Sequence, residues 1–163
     1  MKAIDILLAM CLLATTITPG LAQKGRGIEI YQVKQSTLPH SNEGSTGYFF
    51  TPDKSALAAA PLLTEADLDH FDFEQQQVVL NQQGKAKIGA MTIPLEGVPV
   101  AVVLNGKPLY GFWFWHMASS HGCDWVAAYP THNFKIIHGI PNSAAKGQDP
   151  RFSHQLKAYL AAK

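Results

Sequence analysis

The sequence is short of nearly everything that would declare an activity at sight. It has no apolar run of the 18 or more residues that a membrane-crossing helix needs. It has no large charge of either sign: thirteen Lys and Arg stand against twelve Asp and Glu, a formal +1. That balance leaves no broad basic footprint for nucleic acid or an anionic membrane. Cysteine is nearly missing, with two in 163 residues, which excludes a disulfide framework and a C-x-x-C metal pair. There is no G-x-S-x-G elbow and no D-x-[DN]-x-[DN]-G calcium loop. The closely spaced glycines Gly25 and Gly27 precede the first predicted strand and form no phosphate cradle.

What remains is apolar bulk. Apolar residues make up 47% of the chain and charged residues 15%, enough for one packed domain and against disorder. The first segment reads as an address. Ile6 to Ala14 are nine consecutive apolar residues behind Lys2, followed by Pro19-Gly20 and small residues at Gly20 and Ala22. The run suits the h-region of a secretory signal, with cleavage after Ala22. An uncleaved anchor fits less well because the run is too short, and lipidation at Cys11 is disfavoured by the bulky Met10 before it. The expected organisation is a cleaved signal peptide over 1–22 and a single α+β domain over 23–163. Cleavage leaves one cysteine, Cys123.

Ile28 to Val33 reads as a first strand, and Ser36 to Gly47 as an exposed loop of turn-formers. Ser55 to Ala60 is expected to form a short helix stopped by Pro61. Thr64-Glu65-Ala66-Asp67 has the look of a capping box and predicts a short helix ending near His70. Gln75 to Leu80 then reads as a strand, and Asn81 to Gly84 as the turn into a brief amphipathic stretch. The best local signal is a hairpin, Val98 to Leu104 joined through Asn105-Gly106 to Lys107 to Trp115, with a type I′ turn. A plain two-residue loop pairs Val102 with Leu109, Val98 with Trp113, Ala101 with Tyr110 and Pro99 with Phe112. Both faces are apolar, which predicts a central, covered ribbon. Trp125 to Tyr129 and Asn133 to Ile137 are expected to add strands. Asp149 as N-cap, Pro150 at the first helical position, and Phe152, Leu156, Tyr159 and Leu160 at helical spacing predict a C-terminal amphipathic helix. The fold class is therefore α+β, a mostly antiparallel sheet with a central Asn-Gly hairpin, short helices and a C-terminal helix.

Three segments, Gly27 to Lys34, Pro61 to Ile88 and Val98 to Phe114, together resemble the head part of the first periplasmic domain of the SecD export subunit. They also resemble small exported bacterial proteins of unknown function built on the same pattern. The resemblance covers about half of the mature chain and is one of fold. It implies a strand, a helix-then-strand segment, a Gly-Lys helix and a V-x-V-x-L-[ND]-G-K hairpin in that order. It implies no catalytic residue, and the sequence after Trp115 departs from it.

Chemistry-bearing residues gather between Trp113 and Gly139, which hold His116, His121, His132, His138, Cys123 and Asp124. Imidazole and thiolate donors suit Zn²⁺ or copper, so His116, His121, Cys123, His132 and His138 are the candidate metal ligands. The competing expectation packs Cys123 beneath Trp125 and leaves the histidines on loops and polar faces. A thiol enzyme is the third reading, with Cys123 as nucleophile, His121, His132 or His138 as base and Asp124 as orienter. Ser119-Ser120 is the alternative hydroxyl pair. The acids Glu65, Asp67, Asp69, Asp72 and Glu74 read as a solvated face with capping duties. The aromatic ladder Tyr110, Phe112, Trp113, Phe114 and Trp115 reads as core.

Together these predict an exported protein, periplasmic or secreted, acting as a non-catalytic binding or interaction module. Its expected partner is a periplasmic or extracellular protein or a small ligand, with no nucleic acid and no membrane contact after signal cleavage. The alternatives are a metal-binding protein using the 116–138 loop, and a thiol-dependent enzyme.

Overall fold

Asn105 and Gly106, with φ of 49° and 74°, turn the chain between β5 (Val98–Leu104) and β6 (Lys107–Phe114). Positive φ at both residues is the geometry that lets an Asn-Gly loop match the twist of its strands. The computed structural model describes residues 25–34 and 47–163; the signal segment 1–22 and nearly all of the 36–47 loop lie outside the described residues.

The hairpin's register differs from the expected one. Val102 faces Tyr110 rather than Leu109, and Val98 faces Phe114 rather than Trp113. Ala101 faces Gly111 and Pro99 faces Trp113, again one residue beyond expectation. The ladder slips between Val102 and Val103, where Val103 pairs with Pro108 and Leu109 becomes the extra residue. Pro108 has no N–H to give a ladder, so the strand accommodates it next to a bulge. A slip of one residue moves every later side chain to the opposite face. Tyr110, Phe112 and Phe114 therefore share one face with Val98, Val100 and Val102, while Gly111 and Trp113 share the other with Pro99 and Ala101.

Around this hairpin the sheet grows in both directions. β1 (Ile28–Gln32) lies antiparallel to β5, with β2 (Leu63–Thr64) outside it. On the far side β7 (Cys123–Ala128) runs parallel to β6, and β8 (Ile136–Ile140) returns antiparallel to β7. The order is β2-β1-β5-β6-β7-β8. A separate two-stranded ribbon pairs β3 (Leu68–Asp72) with β4 (Gln77–Leu80), and α1 (Gln82–Gly89) follows it, capped by Asn81. The last element is α2 (His154–Ala161). The fold is α+β with a mostly antiparallel sheet.

Both faces of the sheet are covered. On one, Phe134 sits against Phe112 and Phe114, and Ile88 of α1 and Leu156 of α2 are buried in the same core. On the other, Tyr48 meets Trp113 and Trp115 edge-on at 5.3 and 5.0 Å, and the Trp113 indole N–H donates to the Tyr48 carbonyl at 2.7 Å. Phe50 lies over Gly111, where a Cβ would run into its ring. The aromatic ladder is core throughout, none of its five side chains more than 6% exposed.

Several local expectations are corrected. The capping box at Thr64 forms, with Asp67 accepting from the Thr64 amide at 2.8 Å and hydroxyl at 3.0 Å. It starts only one 3-10 turn, Glu65–Asp67, and β3 begins at Leu68 because β4 waits alongside to take its backbone bonds. Asp67 is also not part of a solvated face. It is 2% exposed and paired with Lys87 at 2.7 Å. The expected 55–60 helix is a 3-10 turn over Lys54–Ala56. The strand expected from Asn133 begins at Ile136, since Asn133 takes a φ of 48° in the preceding turn. The last helix starts after Ser153, because Asp149 is engaged by the Arg151 amide and guanidinium instead of capping it. Among the described residues no helix is long and apolar enough to cross a membrane.

Candidate functional site

The 113–139 stretch does not close on itself, and the strand register explains why. Phe114 aligns with Ala128 in the parallel pair, so His116 leaves the sheet at the C-terminal end of β7. The chain must then travel back to the start of β7, and His121 lies just before that start. Six residues of strand, roughly 20 Å at about 3.3 Å per residue, separate those two ends. His116 is half-buried and its Nδ1 accepts the Ala118 amide at 3.0 Å. His121 and His132 are exposed in turns. His138 is half-buried on β8, 5.6 Å edge-on to Trp125, with Nε2 3.2 Å from the Lys146 carbonyl. Among the described residues no three His, Cys, Asp or Glu side chains are placed to hold a metal ion.

Cys123 is fully buried, and its thiol donates to the Trp125 carbonyl at 3.7 Å. Burial pushes the thiol up to about 12, outweighing the help of the Trp125 backbone, with the neighbouring Asp124 carboxylate adding to the rise. A reactive cysteine needs the opposite shift. Asp124 faces Lys146 at 3.2 Å. The arrangement packs the thiol and gives it no base.

A different place gathers polar groups. A cleft of about 490 Å³ opens between the β3–β4 turn, β8 and the approach to α2, lined by Gln76, Lys135, His138, Asn142, Arg151 and Phe152 among others. Its volume lies within the range of roughly 300–1,000 Å³ usual for small-molecule sites. Gln76 is the unusual member. It occupies the last position of the turn at φ 52°, in the left-handed region where glycine is the ordinary choice. Yet its side chain is 1% exposed. The amide Nε2 donates to the Phe73 carbonyl at 2.7 Å, while Oε1 is buried with no partner among the described residues.

Arg151 also lines the cleft. Its Nε and Nη2 grip Asp149, the shortest contact being 2.6 Å, and Nη1 donates to the Ile136 carbonyl at 2.7 Å. Burial alone would raise the Asp149 carboxyl, but the Arg151 hydrogen bonds and charge hold it below its ordinary value, with His138 adding to the effect. Three of the guanidinium's five N–H groups are used in these bonds. Phe152, 51% exposed, stands at the rim with the guanidinium 5.4 Å from its ring centre and Phe73 edge-on at 5.7 Å.

Of the sequence-predicted site residues, only His138 reaches this cleft. Gln76 read as an ordinary strand residue and Phe152 as part of a buried helical stripe. The one usable signal was Asp149-Pro150-Arg151, where an acid and a base two apart across a proline suit a local ion pair better than a helix cap. No protein-family model, curated protein or solved structure matches the chain.

Proposed function

We propose that the protein is an exported binding module that performs no reaction of its own and seats a small ligand in the Gln76–Arg151 cleft. The observation that carries this reading is Gln76 beside the cleft, held in a costly backbone conformation with its amide Oε1 buried and without a partner among the described residues. A left-handed non-glycine residue costs on the order of 1–3 kcal/mol and persists where the surroundings over-determine it. A buried acceptor without a donor adds a further penalty. Export rests on the Ile6 to Ala14 run and the small residues before Gln23. The resemblance of Gly27 to Lys34, Pro61 to Ile88 and Val98 to Phe114 to the SecD head region also supports an envelope role.

The metal and thiol readings gain no support from the placement of His116, His121, His132 and Cys123. The test is a small-molecule fragment screen on isotope-labelled protein, following the amides of Gln76, His138 and Arg151 by NMR. Ligands that shift these amides, and fail to do so in Gln76→Met, are expected. Binders that all map to other faces would overturn the assignment.

A further inference from the structure

Resting on the reading of this cleft as the ligand seat, we infer that its ligand is a small organic carboxylate, a single negative charge carried on an apolar body. Of the three charged residues that line the cleft, two already have partners. Arg151 is neutralised by Asp149 at 2.6 Å, and Glu74 is taken by Lys157 at 3.2 Å. Lys135 is the third, and it makes no ion pair among the described residues.

Strand alternation sets the Lys135 side chain on the cleft side. The chain is extended here, with Lys135 bridged to Gln77 and β8 starting at Ile136. Ile136 is fully buried in the core, while its two neighbours, Lys135 and Ile137, both line the cleft. Successive side chains on extended backbone point to opposite faces, so those two share the face that Ile136 leaves.

The hydrogen-bonding groups agree with the charge. Lys135 carries three N–H groups, and Arg151 keeps two of its five after serving Asp149 and the Ile136 carbonyl. These donors call for an acceptor, and a carboxylate only accepts. One uncompensated cation also limits how much charge fits. A phosphate monoester brings close to two negative charges at neutral pH. The second would stand near the Asp149 and Glu74 carboxylates with no cation left to meet it. An ammonium would meet Lys135 and no free carboxylate. Beside these groups Ile137 and the 51% exposed Phe152 ring offer apolar surface for the body of the ligand.

The test titrates the purified, isotope-labelled protein with benzoate, phenylacetate and hexanoate, and follows amide shifts by NMR. Benzamide, benzylamine and phenyl phosphate serve as neutral, cationic and doubly charged counterparts. At least one carboxylate should shift the His138 and Arg151 amides and bind more tightly than all three counterparts. Its binding should weaken as NaCl rises from about 20 to about 300 mM. Lys135→Met, an exposed change that keeps the apolar stem, should weaken it about five-fold, the most that one exposed ion pair supports. Tighter binding of phenyl phosphate would overturn the single charge. Equal binding of benzamide, or carboxylate binding unchanged in Lys135→Met, would overturn the carboxylate assignment. If no carboxylate binds while fragments still shift the cleft amides, the ligand class falls and the seat stands; if neither binds there, both fall.

Discussion

A buried thiol and a buried carboxylate behave oppositely in this chain, and the difference is their hydrogen bonds. Cys123 has one weak bond to a carbonyl and is pushed up to about 12, from an ordinary 9.0. The folded protein therefore keeps the proton after the unfolded chain begins to lose it. Stability from the neutral thiol is full below pH 9 and drains away as the pH climbs through about 12. Wild type should lose stability faster than Cys123→Ala between pH 9 and 11, as read from urea midpoints. Iodoacetamide at pH 7.5 should label Cys123 only after denaturation. Asp67 runs the other way. Burial opposes its charge, but Lys87 and the two Thr64 donors hold the carboxyl below its ordinary 3.8. Its contribution is present above that value and lost as the pH falls through the lower folded value. Asp67→Ala should cost about 2 kcal/mol at pH 7 by losing these bonds. The gap between variant and wild type should narrow at pH 3.

At the scale of elements, close approach matters more than charge. Gly111 allows the Phe50 ring to approach β6 closely, and a methyl group there would meet the ring. Gly111→Ala should destabilise by about 2 kcal/mol through overpacking, seen as a lowered melting temperature. The docking of α2 offers a contrast. Tyr159 donates to Glu65 at 2.7 Å in a half-buried setting, whereas Lys157 and Glu74 meet at 3.2 Å in solvent. Tyr159→Phe should cost about 1 kcal/mol and Lys157→Ala under about 0.5 kcal/mol by chemical denaturation. The exposed pair pays side-chain entropy for a screened attraction.

For the molecule as a whole, local signals were legible and distant ones were not. Asn105-Gly106 announced its own turn because positive φ at both positions is a property of those two residues. The register beyond it was hidden, because Pro108 shifts the ladder at a place no period-two pattern marks. Thr64 and Asp67 announced a cap, yet whether a helix or a strand followed depended on β4, ten residues away. The cleft was less readable still. Its walls come from residues 74–76, 135–145 and 151–152, and nothing local to Gln76 tells that Arg151 will line the same cleft. The histidines drew attention through their abundance in one stretch, but the parallel step after β6 sends them to different ends of β7.

That parallel step has a consequence for how the sheet breathes. β5 and β6 are zipped over seven residue pairs and β1 adds five, while β6 and β7 share two. The sheet is thus two antiparallel blocks joined along a short seam. Amide hydrogen exchange should divide there, slowest at Val100 to Val102 and Phe112 and faster through β7 and β8. The cleft rides on the outer block and is tied by Arg151 to Ile136. A guest in the cleft should slow exchange in β7 and β8 and leave the inner block unchanged, turning a hydrogen-exchange map into a record of occupancy.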